Sequence, residues 1–302
     1  MMEHPPAFGM KIKSVDDTAA KAMPGIKDVF TITTLPEGIE KQWSDVNAFT
    51  ELAVVVGEST WQVMKAKKAL KIEWETASKG ESTDEYTAGL VDLIEKGKPG
   101  ENSRTDGDPE KAFANAAKIV ERTYSAPFLA HNTMEPMNFF ADVSADKAEL
   151  AGPIQTPEYL RKTVSAVLKM PEDNVSIMMT RMGGGFGRRL YGNFAVEAAV
   201  ISQKVKAPVK LVYTREDDMT QGTYRPAYEM KYRAALDENN EMIGFHVRGA
   251  GIHGSSVFAD RFPAGTVDNY LADSFSLDSN ISTGAWRAPR SNFTGFAEQS
   301  FL

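Results

Sequence analysis

The 302-residue sequence contains no cysteine. That excludes disulfides, thiolate metal sites, iron–sulfur clusters held by this chain and a cysteine nucleophile, and it removes any redox-compartment signal. Histidine is scarce as well. His4, His131, His246 and His253 lie far apart, with no H-x-H or H-x-x-x-H pair, so a three-ligand metal site would need carboxylates brought in by folding. No apolar run reaches the roughly 18 residues of a membrane span, and Met1–Pro6 shows no basic-then-apolar signal pattern. Basic charge is in deficit: 34 Lys and Arg against 41 Asp and Glu give a net charge of −7. Broad electrostatic binding to nucleic acid is therefore not expected, and any basic patch must be local. A G-x-S-x-G elbow is missing too, which leaves a serine hydrolase without support.

What the sequence has in abundance is glycine at one place. Arg181-Met182-Gly183-Gly184-Gly185-Phe186-Gly187-Arg188-Arg189 follows a strand-like run, Val175–Thr180, and precedes a nearly all-apolar helical segment from Phe194. Glycine strips side chains from the backbone just where a strand ends and a helix begins. A ligand can then reach the amide N–H groups, and the helix N-terminus favours negative charge. The loop matches neither common nucleotide fingerprint. A P-loop needs Lys-Ser/Thr where Arg188-Arg189 stands, and G-x-G-x-x-G needs glycine at Arg188 or Leu190. The plain alternative is a tight turn flanked by surface arginines.

Taken in order, the chain alternates strands and helices. Phe8–Lys13 is strand-like, Ser14–Asp17 reads as an S-x-x-D helix start, and Pro24-Gly25 ends that short helix. Strands are predicted over Asp28–Thr33, Leu52–Val56 and Leu70–Glu75. A helix capped by Ser59 and Gln62 runs to about Leu70, with Trp61 among its apolar positions. From Thr76 to Gly107 the composition turns to Ser, Thr, Gly, Lys and Glu, interrupted by one helix near Asp84–Lys96. Asp108-Pro109 starts a helix that leads into a strand over Ile119–Ser125. Asn138–Val143 and Ala148–Ala151 form a hairpin. Thr156-Pro157 caps a helix whose face is Leu160, Val164, Val167 and Leu168. Pro208 stops the 194–205 helix before a Val209–Tyr213 strand, and Tyr228–Leu236 with Met242–Val247 make a second hairpin.

Several single residues could carry chemistry, each with a plainer alternative. His131 reads as a packed, hydrogen-bonded histidine. Glu135 could be a general base, or a solvated or salt-bridged carboxylate. Asp217-Asp218 reads as a solvated charged turn, and Arg225 as an arginine purposefully set before a strand or a surface ion pair. Gln155, in Gly152–Pro157, could point its amide into a cleft or help the helix start. Arg287, between Trp286 and Pro289, could stabilise an oxyanion or clamp a planar substrate, or simply lie over Trp286.

Three of these segments in this order and spacing are Pro153-Ile154-Gln155-Thr156-Pro157, then Arg181–Gly187, then Ala285-Trp286-Arg287-Ala288-Pro289. Together they resemble the large molybdenum-cofactor subunit of the xanthine oxidase/aldehyde oxidoreductase family. His131–Asn138 and the Arg188-Arg189 ending resemble its isoquinoline 1-oxidoreductase beta-subunit branch. Pro5–Ser14 and Ala66–Trp74 are similar to the family's α/β-hammerhead domain.

The resemblance implies an α+β fold of mixed sheets with packed helices. An α/β-hammerhead domain over 1–80 and a linker over 81–107 would precede the first molybdenum-cofactor-binding domain over 108–302. Both ends read as cut, so a piece of a larger protein is expected. The implied activity is hydroxylation of an aldehyde or N-heterocycle carbon with oxygen from water. The implied cofactor is molybdopterin with molybdenum, in plain form or as the cytosine dinucleotide. Its metal would be held by the pterin and not by side chains. The implied partner is a small [2Fe-2S] subunit. By position, Gln155, Phe186 and Arg287 would be catalytic, and Gly184, Gly185, Phe186, Gly187, Arg188 and Gln155 would bind cofactor. Leu190 stands where xanthine-specific relatives carry a glutamate, which argues against a purine substrate, and the family's C-terminal Gly-x-Gly-Glu base is absent from these residues. Residues 1–302 alone are therefore expected to be inactive. The alternative from another class is a non-catalytic module that binds a nucleotide-like ligand or a partner subunit.

Overall fold

The computed structural model describes residues 1–46, 49–99, 103–220, 222–255, 257–289 and 291–302. It has the mixed-sheet α+β architecture that the resemblance implies. Two compact units are interleaved along the chain: one built from 1–80, 130–224 and 280–285, the other from 81–129, 225–279 and 286–302. No helix among the described residues is long and apolar enough to cross a membrane.

The first unit holds a four-stranded sheet in the order Val175–Met179, Ala148–Gly152, Asn138–Val143, Val209–Val212. The first two strands are parallel, with Val175 opposite Ala148 and Met179 opposite Gly152; the other pairings are antiparallel. Antiparallel neighbours can share a hairpin, whereas the parallel pair needs a crossover, which the helix Pro157–Leu168 supplies. That helix buries Leu160, Thr163, Val164 and Leu168, close to the predicted apolar stripe. Its partner, Asn193–Val205, is apolar nearly all round and buries eight of its residues, Phe194 to Ser202 among them. A helix of that composition is stable only inside a core. Phe139 and Phe194, both fully buried, meet edge-to-face at 5.8 Å across the helix–sheet interface. Burial of each such side chain stabilises the fold by roughly 1.5–3 kcal/mol. Lys206 in the left-handed region and Pro208 end the helix.

The same unit carries a three-stranded antiparallel sheet (Met2–Glu3, Glu51–Gly57, Ile26–Thr33) and a two-stranded ribbon (Met10–Asp16, Lys71–Thr76). Here three local expectations are corrected. Ser14 to Asp16 continue the ribbon, with Ser14 opposite Glu73, so the helix begins only at Thr18 and Asp17 makes no side-chain cap. Cross-strand pairing outcompeted the capping signal. The helix Thr60–Lys67 stops before Leu70, and only half of its capping box forms: Ser59 accepts from Gln62 N–H while its hydroxyl donates to the Gln62 side chain. Trp61 is 63% exposed, lying under the Lys65 ammonium at 4.8 Å and outside the core.

The second unit is a five-stranded sheet in the order Arg104–Asp106, Tyr270–Leu277, Met242–Ile252, Tyr228–Leu236, Lys118–Ala126. The helix Thr83–Lys96, with a complete Ser82–Glu85 capping box, buries Leu90 and Ile94 against Ala250, Ile252 and Phe275. Asp108 caps the helix Pro109–Ala114 by accepting from Lys111 N–H, as its Asp-Pro start predicts.

Candidate functional site

Because Ala148–Gly152 and Val175–Met179 run parallel, their C-terminal ends emerge at the same end of the sheet. Gln155 follows the first and the glycine loop follows the second. Asn138–Val143 runs the other way, so its N-terminal approach, Glu135–Met137, reaches the same end. Topology thus gathers Glu135, Gln155 and Gly183–Gly187, where open α/β sheets typically bind ligands.

Within the loop, acceptors and donors are segregated. The Gly183, Gly184, Gly185 and Gly187 carbonyls accept from Glu135 N–H (3.1 Å), Arg189 Nε (2.7 Å), Arg188 N–H (2.8 Å) and Leu190 N–H (3.2 Å). Gly183 N–H donates to Glu135 Oε2 at 2.7 Å. The N–H groups of Gly184, Gly185, Phe186 and Gly187 have no acceptor among the described residues. Gly184, Phe186 and Gly187 have φ of 101°, 53° and 102°. Successive N–H groups in such alternating conformations form an anion-binding concavity. Phe186 is the one non-glycine among them. A left-handed backbone costs a residue with a side chain about 1–2 kcal/mol, and such strain concentrates at functional sites. Its ring is 42% exposed.

Gln155 is exposed, its N–H donates to Arg189 O at 2.8 Å, and its side-chain oxygen stands where a Cβ on Gly185 would come within 2.9 Å. A Cβ at Gly185 would push the Gln155 amide aside, so glycine there lets that amide lie against the loop backbone. Thr156 does not cap the following helix with its side chain as expected; its hydroxyl donates to Leu190 O at 2.8 Å, tying that helix to the end of the loop.

Arg188 and Arg189 are buried, 2% and 0% exposed, so the plain picture of surface arginines does not hold. The Arg188 guanidinium lies 5.5 Å over the Phe194 ring and donates to Asn193 Oδ1 at 3.0 Å, leaving its buried Nε unpaired. Arg189 pairs with Glu135 at 3.1 Å. Burial works to raise the Glu135 pKa, but the Gly183 N–H, the Asn138 amide and Arg189 together hold it below the usual carboxylate value. Held this way as an ionised acceptor, Glu135 is the salt-bridged residue of its plainer alternative.

Beneath the loop lies a polar network that no sequence motif announced. Asn193 Nδ2 donates to Glu197 Oε1 at 3.1 Å, and Tyr213 Oη donates to Glu197 Oε2 at 2.6 Å. Burial pushes Glu197 up to about 7, against the opposing effect of those two hydrogen bonds and of Arg188. His131 is packed as expected: Nε2 donates to Ala285 O at 2.9 Å, and burial depresses its pKa to about 4, so it is neutral. Asp217 and Asp218, expected to be solvated, are 4% and 6% exposed. Asp217 pairs with the buried Lys67 and Asp218 with Arg215 at 2.9 Å. No local signal marked them, because the partner of Asp217, Lys67, lies 150 residues away.

Arg287 belongs to the second unit. It is exposed, and among the described residues it makes no cation–π contact with Trp286. Arg225, in the same unit, donates to Pro127 O at 2.8 Å in place of a surface ion pair. No group of three or more His, Asp or Glu among the described residues is arranged to hold a metal ion. The loop instead offers backbone donors to an anion.

Comparison with known proteins gives consistent matches. A family model described as molybdopterin cofactor-binding domain matches residues 94–272. The chain is 29% identical to the membrane-bound aldehyde dehydrogenase (pyrroloquinoline-quinone) of Gluconacetobacter polyoxogenes, over 98% of this chain and 38% of that protein. It is 28% identical to the isoquinoline 1-oxidoreductase subunit beta of Brevundimonas diminuta, over 80% of this chain and 30% of that protein. Among solved structures, quinoline 2-oxidoreductase from Pseudomonas putida 86 superposes with a TM-score of 0.72 at 18% identity, covering 99% of this chain and 43% of that one. The aldehyde oxidoreductase from Desulfovibrio gigas follows with a TM-score of 0.67 at 19% identity, covering 96% and 36%. The chain thus spans less than half the length of each of these proteins.

Proposed function

Because the chain belongs to the molybdopterin cofactor-binding domain family, whose model matches 94–272 of its 302 residues, we propose that it is part of a molybdenum hydroxylase large subunit. The observation that carries this reading is the concavity of unpaired N–H groups at Gly184–Gly187, set beside Gln155 at the C-terminal ends of parallel strands. Those residues fit an anionic pterin cofactor, because the four N–H groups have no acceptor among the described residues and the Gly183, Gly184, Gly185 and Gly187 carbonyls already accept hydrogen bonds. When bound, that cofactor supplies the two-electron oxidation by which an aldehyde or N-heterocycle carbon is hydroxylated with oxygen from water.

In this proposal Gly184, Gly185, Phe186 and Gly187 present N–H groups to the cofactor. Gln155 offers its side-chain amide beside Gly185, and the Phe186 ring walls the reacting centre. Arg188 acts through its charge from beneath the loop, since its guanidinium is buried. Arg287 orients substrate or stabilises charge that develops on it. The division into a hammerhead domain over 1–80, a linker over 81–107 and a cofactor-binding domain over 108–302 belongs to the same proposal. So do the cytosine-dinucleotide form of the cofactor and a small [2Fe-2S] subunit as electron acceptor. Leu190 favours a small aromatic heterocycle or aldehyde over a purine.

The test is metal and pterin analysis of the full-length protein produced with its accompanying subunit. Molybdenum and a pterin are expected in about equal amounts. A protein with neither, or with a quinone in their place, would overturn the assignment and leave a binding module. In the same protein, Gln155→Ala and Arg287→Ala should each lower hydroxylation by about a hundredfold or more, the scale of losing one donor to developing charge. Wild-type turnover in both would refute the site.

A further inference from the structure

We infer that Arg189 and Glu135 are positioning residues which set the glycine loop open as an anion receptor before any ligand arrives; that the ligand is the pterin cofactor rests on the function proposed above. A run of glycines has no side chains with which to hold its own shape, and ordering it costs more conformational entropy than ordering any other residue type. Something outside the run must fix it.

The fully buried Arg189 does so with one planar group. Nε donates to Gly184 O at 2.7 Å, Nη1 to Pro153 O at 3.5 Å, and Nη2 to Glu135 O at 2.8 Å and Glu135 Oε2 at 3.1 Å. Glu135 completes the clamp: its carboxylate takes Gly183 N–H at 2.7 Å, its own N–H donates to Gly183 O at 3.1 Å, and Asn138 Nδ2 fixes Oε1 at 2.9 Å. Thr133 Oγ1 adds a second donor to Glu135 O at 2.7 Å.

The consequence is chemical as well as mechanical. Carbonyl oxygens repel an anion, and the clamp occupies those of Gly183 and Gly184. The turn that follows, Arg188 N–H to Gly185 O and Leu190 N–H to Gly187 O, occupies two more. Among the described residues this leaves four N–H groups, those of Gly184, Gly185, Phe186 and Gly187, against the single carbonyl of Phe186. Arg189 and Glu135 neutralise each other, so the clamp imposes geometry without adding net charge. Lysine could not replace Arg189, because a point-like ammonium cannot serve the Gly184, Pro153 and Glu135 oxygens in one plane.

The experiment is amide hydrogen exchange on the full-length protein, purified from cells that cannot make the pterin, comparing wild type with Arg189→Lys and Glu135→Gln. The amides of Glu135, Gly183, Arg188 and Leu190 should exchange about tenfold faster in Arg189→Lys, the scale of losing a charge-assisted hydrogen bond. Glu135→Gln keeps an acceptor for Gly183 and should show a smaller increase at the same amides. Those of Asn138–Val143 and Ala148–Gly152 should keep wild-type protection. In cofactor-replete cells, Arg189→Lys should lose pterin about tenfold faster than wild type on gel filtration. Unchanged loop amides in both variants overturn the inference. So does loosening spread equally over the sheet, or a loosened loop that retains pterin like wild type. If Arg189→Lys does not fold, Glu135→Gln decides by the same exchange pattern. A wild-type protein without pterin would sink the functional assignment alone, because the exchange measurement needs no cofactor.

Discussion

Glu197→Gln separates the charge of a buried carboxylate from its shape. Glu197 is 3% exposed on the Asn193–Val205 helix and accepts from Tyr213 and Asn193. The titratable and charged groups around it are Tyr213, Arg188 and Asp217, with His4 and Asp45 lining the same small cavity. Burial raises its pKa from 4.5 to about 7. The folded protein therefore keeps this proton over a range in which the unfolded chain has lost it. Stability from this group is fully present below about pH 4.5 and is lost as pH rises through 7. At about 1.4 kcal/mol for each tenfold change in proton affinity, the loss is roughly 3 kcal/mol. Glutamine is neutral at every pH and can donate to Tyr213 Oη, so it should abolish this dependence. Urea unfolding of wild type and variant between pH 4.5 and 8 would report it through the fluorescence of Trp43, Trp61 and Trp74, which lie in the first unit. The difference between the two proteins cancels the titrations they share. It should move in favour of glutamine by roughly 3 kcal/mol across that range. A difference that stays flat with pH would refute the reasoning.

Two further outcomes follow from packing. Lys67→Met leaves Asp217 buried without its cation, and should destabilise by about 3–5 kcal/mol in chemical denaturation; adding Asp217→Asn should recover most of that, and no recovery would mean that the charge pair is not the cause. In Gly152→Ala the new Cβ would lie 2.2 Å from the ring of the fully buried Phe139. That substitution should cost about 1–3 kcal/mol or more through overpacking, visible as a lowered melting temperature. Gly80→Ala, with open space around it, should not lower it.

Much of the local structure could be read from the chain. The alternation over Leu70–Glu75, the strand over Ile119–Ser125, the Asp108-Pro109 start and the spacing of Leu160, Val164 and Leu168 each correspond to an element in the fold. Those signals work because the competing interactions lie within a few residues. Where the deciding partner is remote, local reading failed. Ser14 pairs with Glu73 across a ribbon, and Asp217 is neutralised by Lys67, 150 residues away. Arg189 is buried because Glu135 and Pro153, remote in sequence, join Gly184 in taking up its donors.

The glycine loop divides along the same line. Its composition by itself determined that backbone would be bare between a strand and a helix, since only glycine leaves the peptide groups uncovered and tolerates positive φ at small cost. Which peptide groups stay free was decided by the tertiary structure. A parallel strand pair and one reversed neighbour bring Gln155, Glu135 and the loop to one end of the sheet. There Glu135 and Arg189 consume the carbonyls of Gly183 and Gly184, and the N–H groups of Gly184 to Gly187 have no acceptor among the described residues. Hydrogen bonds between groups about fifty residues apart leave no trace in a local pattern, so the polarity of the loop emerges only on folding.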